Sequence, residues 1–210
     1  MPYPDRIAYD ILRIIPDDGE IIGSFGCGTG RTEWELVKTG RKVYGYDIAK
    51  EAIEIAATRL TSAKQIAPGH LPFKANSLDG LILADVIEHL PNAWTMVGKC
   101  SEAVRPGGWV VISVPNMRSI YVLHQFFIRG DWPEEDLGIF DKTHIQMMSK
   151  QRLRRWTASS GLRLERWYDA YPWWQPRKMK LLQWINFLSL GLGKSWLMYQ
   201  VQGRFRKISA

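Results

Sequence analysis

The pattern of apolar and polar positions falls into two halves of different character. In the first half, short apolar runs alternate with helical periods. Ile7, Ile11, Ile14 and Ile15 recur at helical spacing and stop at Pro16. Glu20-Ile21-Ile22 is a short strand signal leading into glycines 26, 28 and 30. A helix is predicted over Thr32–Lys38, closed near Gly40, then a strand over Arg41–Asp47. Ala49–Leu60 has strongly helical composition, and a weak strand is expected at Lys64–Ala67. Asp79–Ala84 reads as a buried strand, Trp94–Val104 as a helix, and Pro106-Gly107-Gly108 as a turn into the strong β run Trp109–Val114. Strands alternating with helices imply parallel βαβ units with right-handed crossovers.

The second half is less regular. Residues 117–148 read as a long connection with Gly130 and Pro133. Ser149–Ser160 is a predicted helix, with Ser149 as N-cap and Gly161 as stop. Leu162–Tyr168 alternates like a strand. A Pro/Trp-rich stretch follows, then an apolar run at Lys178–Leu190 and a second alternating run at Met198–Lys207.

Composition narrows the class. A chain of 210 residues with 46% hydrophobic and 23% charged residues supports one globular domain, residues 1–210, and not disorder. Two cysteines, Cys27 and Cys100, suggest no disulfide framework, so a reducing, cytoplasmic setting is expected. The first residues show no secretory pattern, and no run reaches the roughly 18–20 apolar residues of a membrane span. The net charge is +7, and no acidic residue follows Asp169. The basic, Trp-rich segment 172–198 points to an anionic partner, such as a lipid surface at which the protein is peripheral, or a phosphorylated substrate. No RNA-recognition signature places nucleic acid above these. A solvated basic face with core tryptophans is the plainer alternative, and a lid over a substrate pocket is another.

The chemistry begins at Ser24-Phe25-Gly26-Cys27-Gly28-Thr29-Gly30, between a strand and a helix. Glycines there let the backbone turn tightly and approach a ligand. A dinucleotide fingerprint would put its third glycine at Arg31, which counts against a nicotinamide-dependent oxidoreductase. The spacing suits a ligand without a pyrophosphate. Asp47, at the end of the second strand, is placed to accept hydrogen bonds from ribose hydroxyls or to cap the next helix; both can hold.

Four blocks in this order resemble the class I methyltransferases that use S-adenosylmethionine (SAM), in particular the small UbiG/UbiE-like superfamily: F-G-C-G-T-G at 25–30, Y-G-Y-D at 44–47, L-P-F at 71–73 with S-L-D-G-L-I-L-A-D-V-I-E-H-L at 77–90, and V-R-P-G-G-W-V-V-I-S-V-P-N at 104–116. A fifth, D-K-T-H at 141–144, resembles a motif in the branch acting on polysaccharide, lipid and quinone-type acceptors. The resemblance implies a Rossmann-like α/β fold: a seven-stranded, mostly parallel sheet, helices on both faces, and a C-terminal antiparallel hairpin. It implies SAM as cofactor, with Gly26, Cys27, Gly28 and Gly30 facing its methionine and ribose parts. Asp47 would bind the ribose, Ile48 would pack on the adenine, and Asp85 and Val86 would line the methyl-donor pocket. It also implies methyl transfer to an acceptor, expected at an oxygen of a small, glycan or lipid-linked molecule. A SAM-binding scaffold without catalysis is the alternative. The segments 117–148 and 172–198 would be acceptor-side insertions. There are two departures from the family pattern: Ser24 stands where an acid is usual, and Ala67-Pro68 stands where an acid commonly meets the adenine amine.

An oxygen acceptor must lose a proton, and His144 and His89 are the candidate bases, His144 favoured. Glu88, Asp141 and both histidines form an alternative metal set, but no ligand spacing along the chain supports one, so no metal is expected.

Overall fold

The computed structural model describes residues 5–170, Trp184 and residues 194–208. Seven strands form one sheet in the order β3-β2-β1-β4-β5-β7-β6. The strands are β1 (Ile21–Phe25), β2 (Lys42–Asp47), β3 (Ser62–Gln65), β4 (Leu78–Ala84), β5 (Val104–Pro115), β6 (Leu162–Ala170) and β7 (Gln200–Lys207). The first five pair in parallel, and β7 runs antiparallel to both β5 and β6. The Rossmann-like sheet and its closing antiparallel pair are therefore as the sequence implied. The strand order reverses at β1, between β2 and β4. Ligand crevices in such sheets open at this switch point, beyond the carboxyl ends of the strands.

Central strands must bury both faces, and β4 and β5 do so by alternation. Leu81, Leu83, Val110 and Ile112 face a core shared with Val97, Cys100 and Leu153. Those three come from helices α4 (Ala93–Ala103) and α6 (Lys150–Ser159). Ile82, Trp109 and Val111 face the opposite core, with Ile11, Leu36 and Ile53. These three come from α1 (Tyr9–Leu12), α2 (Glu33–Val37) and α3 (Lys50–Ala56). Trp109 is fully buried, and its indole N–H donates to the Asp18 carbonyl at 2.9 Å. Its ring occupies the space above Gly80, where an added Cβ would stand 2.2 Å from ring carbons.

Several boundaries differ from the sequence expectation. The helix over Ile7–Ile15 shortens to Tyr9–Leu12. Beyond it Ile14 and Ile15 donate to Ile11 and Leu12, an i to i+3 tightening that ends the helix before Pro16. Pro106-Gly107-Gly108 is not a turn ahead of the strand but a bulge inside it. Val104 already pairs with Leu78 and Trp109 pairs with Gly80, so the intervening residues loop out. The connection 117–148 is partly helical, with α5 (Ile120–Leu123) running into a π turn, His124–Ile128. Ser119 begins it by accepting the Tyr121 N–H, a local cap the composition did not reveal. Ser149 does cap α6, its hydroxyl accepting the Arg152 N–H at 3.2 Å. Most of the Lys178–Leu190 run and of segment 172–198 lies outside the described residues; a short helix, α7 (Lys194–Leu197), leads back to the sheet. Among the described residues no helix is long and apolar enough to cross a membrane.

Gly80→Ala is expected to destabilise the fold by about 1–3 kcal/mol, the usual cost of overpacking a full core. A urea midpoint equal to the parent's would mean that the Trp109 ring can move aside.

Candidate active site

The carboxyl ends of β1, β2, β4 and β5 open onto one continuous crevice. Its near wall is the glycine loop. Gly26 and Cys27 donate their N–H groups to the Tyr46 carbonyl at 2.7 and 3.1 Å, tying the loop to β2. Gly28 donates to Asp47 Oδ2 at 2.8 Å, and Ala49 donates to Asp47 Oδ1 at 3.0 Å. Asp47 therefore holds both the loop and the turn into α3 while its carboxylate stays on the crevice wall. The Gly26 backbone has φ +77°, and a Cβ there would meet Val86 Cγ2 at 2.2 Å. That close approach explains why the loop and the end of β4 can be adjacent.

Next to Asp47, Ile48 is 55% exposed on the same wall. A carboxylate beside an exposed aliphatic side chain, across from bare glycine backbone, suits a nucleoside: polar sugar on one group, apolar base on the other. Pro68 and Gly69 line the crevice where the expected acid is missing. At the other departure, Ser24 meets an acid from another element. Ser24 donates its hydroxyl to Glu33 Oε1 at 2.7 Å, and Glu33 is buried at the crevice wall. An acid thus stands beside the glycine loop, supplied from α2. Burial raises its carboxyl above the usual range, partly offset by the Ser24 bond. Glu33 was hidden in the sequence because its helix composition gives it no role. Cys27 is buried, and burial raises its thiol well above the usual range, so it lines the loop as an inert group.

The floor is Asp85 and Val86. Asp85 has φ +54°, uncommon for a residue with a side chain. Its N–H donates to Ser113, and Gln200 Nε2 reaches both carboxylate oxygens at 2.8 and 2.9 Å. Gln200 is a β7 residue that no local motif marks.

The far wall comes from two distant stretches. A 3-10 turn, Ile87–His89, follows β4. The Glu88 carbonyl accepts the N–H groups of Ile145 and Gln146, both at 3.0 Å. Gln146 adds side-chain bonds to the Leu90 and Pro91 carbonyls, and Arg152 of α6 holds Gln146 and Met147. These bonds bring His144 to His89, with ring centroids 4.7 Å apart. His144 Nε2 lies 3.8 Å from Glu88 Oε1. One ligand atom each from Glu88, His89 and His144 lies within 4.8 Å of the others. Asp141 is near but engaged: Oδ1 accepts both the N–H and the hydroxyl of Thr143, at 2.8 and 2.6 Å. Burial pushes the Glu88 carboxyl well above its usual range, with Asp85 and Asp141 adding to the effect. Burial, then His89, lowers His144, which keeps its imidazole neutral near pH 7.

This arrangement, a seven-stranded Rossmann-like sheet with a glycine loop and an acid at its switch-point crevice, is the fold of the class I SAM-dependent methyltransferases. A family model described as a methyltransferase domain matches residues 4–167, and the chain belongs to that family, whose methyl donor is S-adenosylmethionine. It is similar to a ubiquinone biosynthesis O-methyltransferase of Leptothrix cholodnii, 24% identical over 155 residues, covering 70% of this chain and 66% of the relative. A protein of the same description from Vibrio parahaemolyticus is 30% identical over 120 residues, covering 54% of this chain and 51% of the relative. The match thus spans between half and two thirds of these relatives' lengths. A putative S-adenosylmethionine dependent methyltransferase from Listeria monocytogenes superposes with a TM-score of 0.69 at 13% identity, covering 96% of this chain and 97% of that one. That likeness is one of fold.

Gly26→Ala is expected to cost about 1–3 kcal/mol, from left-handed backbone strain and the clash with Val86. Chemical denaturation checks this; no change in midpoint would show that the loop can re-form without its contact to β4.

Proposed function

We propose that this chain transfers a methyl group from S-adenosylmethionine to an oxygen of a small, glycan or lipid-linked acceptor. The observation that carries the reading is that the glycine loop, Asp47 and the Glu88–His89–His144 cluster all line one crevice. Asp47 is assigned to the ribose, Ile48 to the adenine, and Gly26, Cys27, Gly28 and Gly30 to the methionine and ribose side. Asp85 and Val86 are assigned to the methyl-donor pocket between the two walls.

In the reaction the acceptor oxygen displaces the methyl group in line from a positively charged sulfur. A large part of the acceleration comes from holding the two reactants in a near-attack pose. The hydroxyl proton must leave before or during attack, and the His89–His144 face is where it leaves. Two imidazoles beside a buried carboxyl favour an oxygen nucleophile that needs deprotonation. Segments 117–148 and 172–198 would shape the acceptor side. Phe127 and Ile128 are 72% and 76% exposed, next to the crevice residues Gln125 and Arg129. An apolar tip of this kind supports an acceptor with an apolar portion, or contact with a lipid surface at the membrane periphery.

Two measurements test this. Asp47→Ala is expected to weaken SAM binding by about 2–3 kcal/mol, or about 30- to 150-fold, read by calorimetry; unchanged affinity would remove Asp47 from the ribose. His144→Ala is expected to lower turnover about 10²- to 10⁴-fold with SAM affinity nearly intact. Turnover within a few-fold of the parent would take His144 out of the reaction.

A further inference from the structure

We propose that Glu33, a buried acid supplied by α2, holds the ammonium group on the methionine portion of S-adenosylmethionine. The proposal rests on the placement of that portion along the glycine loop, and it names the residue that meets its positive charge.

The first observation is where the side chain stands. Glu33 is the first residue of α2, and it turns back to β1, where Ser24 donates its hydroxyl to Oε1 at 2.7 Å. Glu33, Gly26, Cys27 and Gly28 all line the crevice. The buried Cys27 thiol feels both Glu33 and Asp47, so the two acids serve one short stretch of wall. A ligand laid along the loop with its ribose at Asp47 therefore passes Glu33.

The second observation is an unmet charge. Glu33 is 6% exposed. Among the described residues Ser24 is its one side-chain donor, and the one charge acting on it is Asp47, which repels. The basic residues Arg31 and Arg59 are engaged elsewhere, with Glu35 and Asp5. A carboxyl taken from water with one donor forfeits most of its hydration, so buried acids normally face a cation. Leu36, in the same helix, fills its core place with no such penalty. A cation arriving from the crevice supplies what Glu33 lacks, and an ammonium brings a full charge and three N–H donors.

The third observation is which cation fits. The cofactor carries two positive groups, a sulfonium at the methyl and an ammonium at the end of the methionine portion. The methyl-donor pocket is assigned to Asp85 and Val86, at the end of β4. That pocket has an acid of its own in Asp85, which leaves the ammonium to Glu33.

A proton linkage follows. Burial raises the Glu33 carboxyl above its usual range; the Ser24 bond and its own backbone oppose this, and Asp47 adds to it. An ammonium beside the carboxyl favours its ionised form. Below the raised value the free protein holds a proton that binding must displace, so affinity falls about tenfold per pH unit as pH drops. Above that value no proton moves and affinity levels off. The Cys27 thiol, raised by burial, stays neutral throughout. Asp85, on the crevice floor, has its carboxyl pushed up to about 6 and titrates separately. The Glu33 contribution is therefore the difference in slope between the parent and a Glu33 variant.

The test is calorimetry on the whole chain with three ligands. They are SAM, S-adenosylhomocysteine, which keeps the ammonium but not the sulfonium charge, and 5′-methylthioadenosine, which has neither. Glu33→Gln keeps an acceptor for Ser24. It should weaken SAM and S-adenosylhomocysteine alike, about 10- to 100-fold, and leave 5′-methylthioadenosine nearly unchanged. The loss of S-adenosylhomocysteine affinity between about pH 8 and about pH 5 should be smaller in the variant than in the parent. Proton release, read from the heats in buffers of different ionisation enthalpy, should fall with it. Equal SAM affinity in parent and variant would overturn the proposal and leave the methyltransferase reading standing. A loss confined to SAM would overturn it too, since Glu33 would then face the sulfonium. So would a loss shared by 5′-methylthioadenosine, since Glu33 would then only shape the loop, and an unchanged pH slope would likewise count against it. A parent chain that binds none of the three would instead count against the function assigned above.

Discussion

The backbone carbonyl of Glu88 is the contact on which the far wall of the crevice depends. It accepts two consecutive N–H groups, from Ile145 and Gln146, and so joins the end of β4 to a stretch more than fifty residues later. A carbonyl has two lone pairs, and here both are used on one strand of incoming chain. Without that joint, His144 would hang from a loop of its own, and the facing walls of the crevice would have no fixed separation. The Gln146 amide and the Arg152 guanidinium reinforce it from α6. Backbone hydrogen bonding, reinforced by these side chains, thus brings Glu88, His89 and His144 together.

Much of the fold could be read in the chain because its signals are local. The Leu-Ile-Leu centre of β4 and the run Trp109–Ile112 are continuous apolar stretches that only a doubly covered strand can bury. Gly26 and Asp47 stand at the ends of their strands, where the ligand side of such a sheet must be. The far wall was less readable for the opposite reason. Glu88, His89 and His144 have no ligand spacing as a string, because their proximity comes from a hydrogen-bonded joint between separate segments. Ser119 and the π turn at His124–Ile128 were missed because nothing in 117–148 has a helical period long enough to stand out. Glu33 looked like an ordinary helix surface residue, and only the fold turns it onto Ser24.

Two kinds of residue hold the crevice open, and they work by different physics. On the glycine-loop wall the main requirement is absence: Gly26 must have no side chain for Val86 to lie where it does. On the far wall it is saturation: Thr143 links Asp141 to His89 Nδ1, and the Ile139 carbonyl meets His144 Nδ1, so both rings are oriented. A polar network satisfied behind an exposed edge makes that edge rigid.

The closing antiparallel strands have a further consequence. The chain leaves the sheet at Ala170 and rejoins it beside the same residue, where Tyr199 donates its N–H to the Ala170 carbonyl at 2.8 Å. Asn116, at the end of β5, grips the returning chain through the carbonyls of Ser195 and Met198, at 2.7 and 2.8 Å. The two roots of the intervening segment are thus fastened to the sheet, independently of what lies between them. For a loop whose ends are already pinned, doubling the length costs only about 0.6 kcal/mol. Insertions of quite different size and chemistry can therefore be exchanged at this point with the methyl-donor half undisturbed. The sheet therefore does not depend on how long the chain between those two roots is.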